Sequence, residues 1–180
     1  GDLLFLSRSE SGTIEIVKRP LPLLDILREV RREASVLAER KHIDVTLNSR
    51  DDTPIIVNGD PQRFRQLFMI IIDNAVNYTK PRGAIKVDLE SDGATARVIV
   101  ADNGVGIPEA DLPHVFQRFY RVKQKRQDVA QSGSGLGLHI AKWIAEAHRG
   151  TVSIASNLNQ GTTVTVELPL HESRTPSADG

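Results

Sequence analysis

Alternation of apolar and polar residues with period two recurs along this chain, the pattern of strands with one face on a core and the other in water. Ile14 and Ile16 flank Glu15, and Ile43, Val45 and Leu47 alternate with Asp44 and Thr46. Ile85, Val87 and Leu89 alternate with Lys86 and Asp88, Val152 and Ile154 form a shorter stretch, and Val164, Val166 and Leu168 alternate with Thr165 and Glu167. Residues 98–101 are more continuously apolar and predict a central strand.

Helical spacing separates these stretches. Residues 22–41 place Leu23, Ile26, Leu27, Val30, Ala34 and Leu37 three and four apart, with Pro20 and Pro22 near the start. Residues 61–78 put Phe64, Leu67, Phe68, Ile71, Ile72, Ala75 and Val76 on one broad face, with Asp60 as N-cap and Pro61 at the first helical position. Residues 136–149 carry Leu136, Ile140, Ile144 and Ala147, with Gly150 expected as the C-cap. A leucine-rich segment at 2–7, followed by Ser9, Ser11 and Gly12, reads as the end of a helix and a turn whose partner helix is missing, as in a piece of a longer protein. From His171 onward the chain is polar, and residues 171–180 are expected to be a disordered tail.

Composition narrows the function. Lys plus Arg and Asp plus Glu each number 23 in 180 residues, so no broad cationic surface is available for nucleic acid, and any anion site must be local. Without cysteine there is no disulfide framework, thiolate metal site or thiol nucleophile. No apolar run nears the roughly 18 residues that would span a bilayer, so no membrane contact is expected of this fragment.

Two glycine-rich segments carry the chemistry. Asp102, Asn103, Gly104, Val105, Gly106 and Ile107 follow the central strand, placing a carboxylate at its end and then a turn where a ligand can approach the backbone. Such a carboxylate can accept a hydrogen bond from an exocyclic amine, although a tight turn alone would also account for the residues. Gly133, Ser134, Gly135, Leu136, Gly137 and Leu138 open the last helix, whose free N–H groups suit a phosphate. A dinucleotide fold needs a strand leading into such a run, whereas here a long polar loop precedes it, and the Gly-Lys-Ser/Thr phosphate loop is absent. The loop from 104 to 134 includes the run Arg121, Val122, Lys123, Gln124, Lys125, Arg126, which as an isolated cluster would be a solvated face.

With the helix bearing Asp73, Asn74 and Asn77, these segments in their order resemble the catalytic, ATP-binding domain of sensor histidine kinases, within the wider Bergerat-fold ATPases. The resemblance covers residues 13–169: 60–79 is similar to the N box, 102–107 to the first glycine box, 115–121 to the aromatic F box, 133–138 to the second glycine box, and Gly161 with Thr162 to the last. It implies an α/β (α+β) two-layer sandwich, a mixed sheet of about five strands with three helices on one face and a long ATP lid over 107–132. Residues 1–12 would end the preceding helical hairpin, and 13–170 would form the catalytic domain.

By resemblance, Asn74 is a Mg²⁺ ligand, Asp102 receives the adenine amine, and Gly104 and Gly106 let the base lie against the backbone. Asn77, Tyr78, Arg118 and Arg121 fall among nucleotide contacts; Gly133, Gly135 and Gly137 form a hinge and phosphate cradle. Ile107, Leu136, Leu138 and Thr162 complete the site. The implied cofactors are ATP and Mg²⁺. The implied partners are ATP or ADP, the protein's own dimerisation and phosphoacceptor domain, and a downstream response regulator, in a cytoplasmic location with the parent anchored in the membrane.

Two positions depart from the pattern. Ile70 lies one turn before Asn74, where these kinases usually carry a second Asn and related hydrolases a Glu base. Asn77 stands where Lys is frequent. Both bear on transfer more than on binding, so a regulatory module that binds ATP without transfer stands as an alternative, and a gyrase-type hydrolase is disfavoured for want of a carboxylate at 70. None of the histidines 42, 114, 139, 148 and 171 has the sequence context of a phosphoacceptor, and packing or solvation accounts for them. Trp143, beside the apolar face of its helix, is expected to be partly packed.

Overall fold

The computed structural model describes residues 1–122 and 135–172. Five strands form a mixed sheet: β2 (Asp44–Ser49), β4 (Ala84–Ser91), β5 (Thr95–Asp102), β7 (Gly161–Pro169) and β6 (Thr151–Asn157), in the order β2-β4-β5-β7-β6. The β2–β4 pair is parallel and the others are antiparallel, with β5 in the centre as its apolar run predicts. Alternation puts Ile85, Val87 and Leu89 of β4, Ala96, Val98 and Val100 of β5, and Val164, Val166 and Leu168 of β7 on one buried face. The opposite face is polar, and there Arg97 pairs with Glu90, Asp92 and Glu167.

Three helices cover the apolar face: α2 (Leu23–Glu39), α3 (Pro61–Tyr78) and α4 (Gly137–Ala147). Their expected apolar positions are buried, with Phe64, Phe68, Leu27, Ile72 and Ile140 at 1% exposure or less, except Leu37, which is exposed near the end of α2, and Ala147, which is half-buried at the end of α4. The α3 start is as its residues require. Asp60 accepts from the N–H groups of Gln62 and Arg63, with proline at the first helical position where no N–H is missed. A further helix, α1 (Asp2–Glu10), buries Leu6 and sets Phe5 edge-on to Trp143 at 5.4 Å between ring centres. Trp143 is thus partly packed, as expected.

Three local expectations are corrected. Ile14 and Ile16 are half-buried between exposed neighbours but form no ladder; the segment is instead held by the Val17 N–H on the Asp60 carboxylate, 3.1 Å away. Alternation reports burial of every second residue, and an extended segment lying on the surface satisfies it without a partner strand. A second, two-stranded antiparallel sheet pairs β1 (Arg19–Pro22) with β3 (Ile56–Gly59); its prolines and short length hid it from the pattern. At the end of α4 the C-cap is His148, and Arg149 rather than Gly150 takes the left-handed conformation, at φ 59°. Gly150 is required for another reason: a Cβ there would lie 2.4 Å from the Glu167 carbonyl oxygen. Of the expected tail, residues 173–180 lie outside the described residues, and the His171 N–H is tied to the Ile56 carbonyl at 2.8 Å.

Candidate nucleotide site

The inward row of the sheet changes character at one end. On β5 the buried positions 96, 98 and 100 are followed by Asp102; on β7 positions 168, 166 and 164 lead to Thr162; on β6 positions 152 and 154 lead to Ser156. The register pairs Ile85 with Asp102, Asp102 with Thr162, and Thr162 with Ser156, so these residues form a single row across four strands. The same alternation that buries the valines therefore aims three polar side chains to the helix side, at the C-terminal end of the central strand.

Asp102 is held from below. Its Oδ1 accepts from the Gly104 N–H at 2.9 Å and the Thr162 N–H at 3.2 Å, and among the described residues nothing donates to Oδ2. Burial pushes its carboxyl above the ordinary aspartate range, and the two N–H donors pull in the opposite direction. Beside it the Ser156 hydroxyl lies 2.8 Å from the Thr162 hydroxyl and 2.9 Å from the Gly161 carbonyl oxygen, and accepts from the Ile107 N–H at 2.7 Å. Ser156 was not among the residues the motifs singled out. Extending the alternation of 152 and 154 by one step would have found it.

Backbone contacts shape the first glycine box. A Cβ on Gly104 would fall 2.3 Å from the Tyr78 carbonyl oxygen, and one on Gly106, at φ 71°, would fall 2.1 Å from the Asn157 carbonyl oxygen. These glycines let the box press on the end of α3 and on the β6–β7 turn, where the Val105 N–H reaches the Tyr78 carbonyl and the Asn159 N–H the Val105 carbonyl.

The last turns of α3 present Asn74, Asn77 and Tyr78, all half-buried; among the described residues no group bonds either amide side chain. Burial raises the Tyr78 phenol above its usual range, partly countered by the charge of Arg121. The carbonyls of this helix end are met from outside. Lys41, just beyond α2, donates to the Val76, Asn77 and Thr79 oxygens at 3.0, 3.1 and 3.2 Å, and burial lowers its pKa. Lys41 was also missed, because its partners lie 35 to 38 residues away.

The remaining expected residues divide. Gly135 lies against the Phe119 backbone, Leu136 is fully buried, and Gly137 begins α4. A Cβ on Gly137 would sit 3.3 Å from the Ile70 side chain, so the departing residue packs against the start of α4. Ile107 is buried and Leu138 half-buried. Arg118 is turned away from this group and pairs with Glu10 of α1. Gly133 and residues 123–132 of the expected lid lie outside the described residues, as do four residues of the basic run. No cluster of three His, Cys, Asp or Glu suited to a metal exists among the described residues, and what Asn74 could offer a hard cation is an amide oxygen.

Of the histidines, His148 is buried: one ring nitrogen accepts from the Asp60 N–H at 3.1 Å and the other meets the Ile144 carbonyl at 2.8 Å. His139 meets the Phe116 carbonyl and His114 stacks near Tyr120, as packing roles require.

The chain matches, over residues 59–172, the family described as histidine kinase-, DNA gyrase B- and HSP90-like ATPase. Relatives include the circadian input-output histidine kinase CikA of Synechococcus elongatus, 33% identical over 93% of this chain and 22% of that protein. The sensor histidine kinase YkoH of Bacillus subtilis is 36% identical over 92% of this chain and 35% of its own length. The chain thus spans 22% to 35% of these two relatives. Among solved structures, the nucleotide-free catalytic domain of histidine kinase ThkA aligns with a TM-score of 0.73 at 26% identity, covering 85% of this chain and 97% of that one. Full-length ShkA in complex with AMPPNP aligns at 0.81 and 27% identity, covering 97% and 36%. The chain therefore belongs to the histidine kinase-, DNA gyrase B- and HSP90-like ATPase family, as a catalytic domain of the histidine-kinase type.

Proposed function

We propose that this domain binds ATP with Mg²⁺ and donates the γ-phosphate to a histidine on a separate dimerisation and phosphoacceptor domain, with a response regulator downstream. The observation that carries the reading is Asp102: a carboxylate held by two backbone N–H groups at the end of the central strand, with one oxygen left to receive an adenine amine. In this reading Tyr78, Ile107 and Leu138 flank the nucleotide, and Thr162 lies beside the base. Gly133, Gly135, Leu136 and Gly137 lead the chain past the phosphates to the N-terminus of α4, whose first turn has no side-chain cap. Arg121 and the basic run offset phosphate charge; Arg118 joins them on leaving Glu10. Asn74 and Asn77 offer amide groups with no protein partner among the described residues, which suits a Mg²⁺ held mainly by phosphate and water. The bound metal would neutralise charge developing on the phosphates. Phosphoryl transfer depends on positioning and charge neutralisation, so no protein nucleophile is required here. ShkA was solved with AMPPNP, which is consistent with a triphosphate ligand in this fold. A cytoplasmic location with a membrane-anchored parent fits sensor kinases; among the described residues no helix is long and apolar enough to cross a membrane.

A second reading, nucleotide binding without transfer, is favoured by Ile70. A hydrocarbon seated against the start of α4, one turn from Asn74, can neither orient water nor bond a phosphate. Calorimetry with ADP and Mg²⁺ tests binding, and labelled ATP with a supplied acceptor domain tests transfer. Transfer by the unaltered chain supports the kinase. Binding without transfer supports the second reading, and Ile70→Asn should then raise transfer with little change in affinity, because the added group acts mainly in the transition state.

A further inference from the structure

We propose that Ser156 sets the base specificity of the site by fixing the direction of the Thr162 hydroxyl, an inference that rests on the nucleotide reading above. A serine hydroxyl has one proton to donate and two lone pairs with which to accept. Ser156 makes three contacts: it receives the Ile107 N–H, it faces the Gly161 carbonyl oxygen, and it faces the Thr162 hydroxyl. A carbonyl oxygen can only accept, so the Ser156 proton goes to Gly161. The contact with Thr162 is then satisfied only if Thr162 donates its own proton to Ser156. What remains on the Thr162 oxygen is lone pairs.

That assignment changes what the site can read. Asp102 and Thr162 are direct register partners on adjacent strands, and the Thr162 N–H already binds the Asp102 carboxylate. Their outward atoms are a carboxylate oxygen and a hydroxyl oxygen whose proton is already given to Ser156. Two acceptors side by side select a ligand edge that donates, such as a 6-amino group or a water it orders, and repel an edge bearing a 6-keto oxygen. A threonine with a free proton could turn to donate and would tolerate either edge. Ser156 acts here as a positioning residue, since its own hydroxyl is fully used by protein groups.

The test compares ADP with inosine diphosphate, which has a 6-keto oxygen and a protonated N1 in place of the 6-amino group and bare N1 and carries the same phosphates. Binding of both, with Mg²⁺, is measured by calorimetry for the unaltered chain, Ser156→Ala, Ser156→Thr and Thr162→Val. The unaltered chain is expected to prefer ADP. Ser156→Ala releases the Thr162 proton and should reduce the preference by about tenfold, the effect of roughly one hydrogen bond. Ser156→Thr, which keeps a hydroxyl in place, should restore it, and Thr162→Val should lose it. A general loosening of the turn would weaken both nucleotides equally and leave their ratio alone. An unchanged ratio in Ser156→Ala overturns the inference; if that variant does not fold, an unchanged ratio in Thr162→Val does so. Failure of the unaltered chain to bind either diphosphate would instead overturn the nucleotide reading, and this inference with it.

Discussion

Asp102 concentrates opposing demands in one side chain: burial disfavours its charge, while the Gly104 and Thr162 N–H groups favour it. Asp102→Asn keeps the shape and an oxygen for those two donors, but turns an amide donor toward a ligand amine. Calorimetry should show ADP binding weakened by about 1–3 kcal/mol, and the raised carboxyl pKa should make binding fade with acid at a higher pH than an exposed aspartate would. His148 is the second residue under such strain. Desolvation lowers its pKa, with Lys18 adding to the effect, while the Ile144 carbonyl and Asp60 oppose it. The unfolded chain therefore binds the proton more readily than the folded one. Stability is fully present above the ordinary value of 6.5 and is lost as pH falls below it toward the lowered folded value. Thermal melting between pH 7.5 and 5.5 should show this loss, and a smaller one in His148→Gln, where an amide oxygen can still receive the Asp60 N–H. The apolar spacing could place His148 on its helix, but its role depends on the N-cap of α3 coming to rest on the ring.

Helix α3 shows the same division at the scale of an element. Its start was legible because Asp60 and Pro61 act within one turn, and the helix begins at Pro61. Its end at Tyr78 also agrees with the range the spacing predicts, but what satisfies that end was not legible, because no basic residue lies in its last turn and the free carbonyls are met by Lys41 from just beyond α2 and by Val105 from the glycine box. Lys41→Met keeps the length and removes the donors, leaving three carbonyls to find water or remain unpaired. Denaturant melting should show a loss of about 1–3 kcal/mol, reduced by whatever the buried charge itself costs. Hydrogen exchange should locate the loosening in the amides around Val76 and Thr79, with the Asp60 end of the helix unchanged. Strands behave likewise: β4, β5 and β7 announce themselves by alternation over several residues, whereas β1 and β3, four residues each and the first half proline, carry too little pattern to be seen.

Across the whole molecule, α1 is tied to three distant parts of the domain. Phe5 meets Trp143 of α4 edge-on and lies 5.2 Å from the Arg63 guanidinium of α3, while Glu10 pairs with Arg118 of the F-box segment. The exposed ion pair adds little on its own, so the aromatic contact is the anchor. Trp143 is the chain's only tryptophan and reports on that contact directly. Phe5→Ala should shift its fluorescence to longer wavelength as water reaches the ring, with far-ultraviolet dichroism largely retained; an unshifted spectrum would place the anchor elsewhere. What the sequence determined by itself was whatever acts within a few residues: alternation that buries one strand face, the capped start of α3, the apolar stripes of three helices, and the order of the boxes that carry the family resemblance. Tertiary structure decided the register that aligns Ser156, Thr162 and Asp102, the placing of Lys41 under α3, the pairing of β1 with β3, and the attachment of Arg118 to α1. Those depend on which distant segments meet. That is set by the burial of the core as a whole, while each polar group then takes the partner the packing leaves within reach.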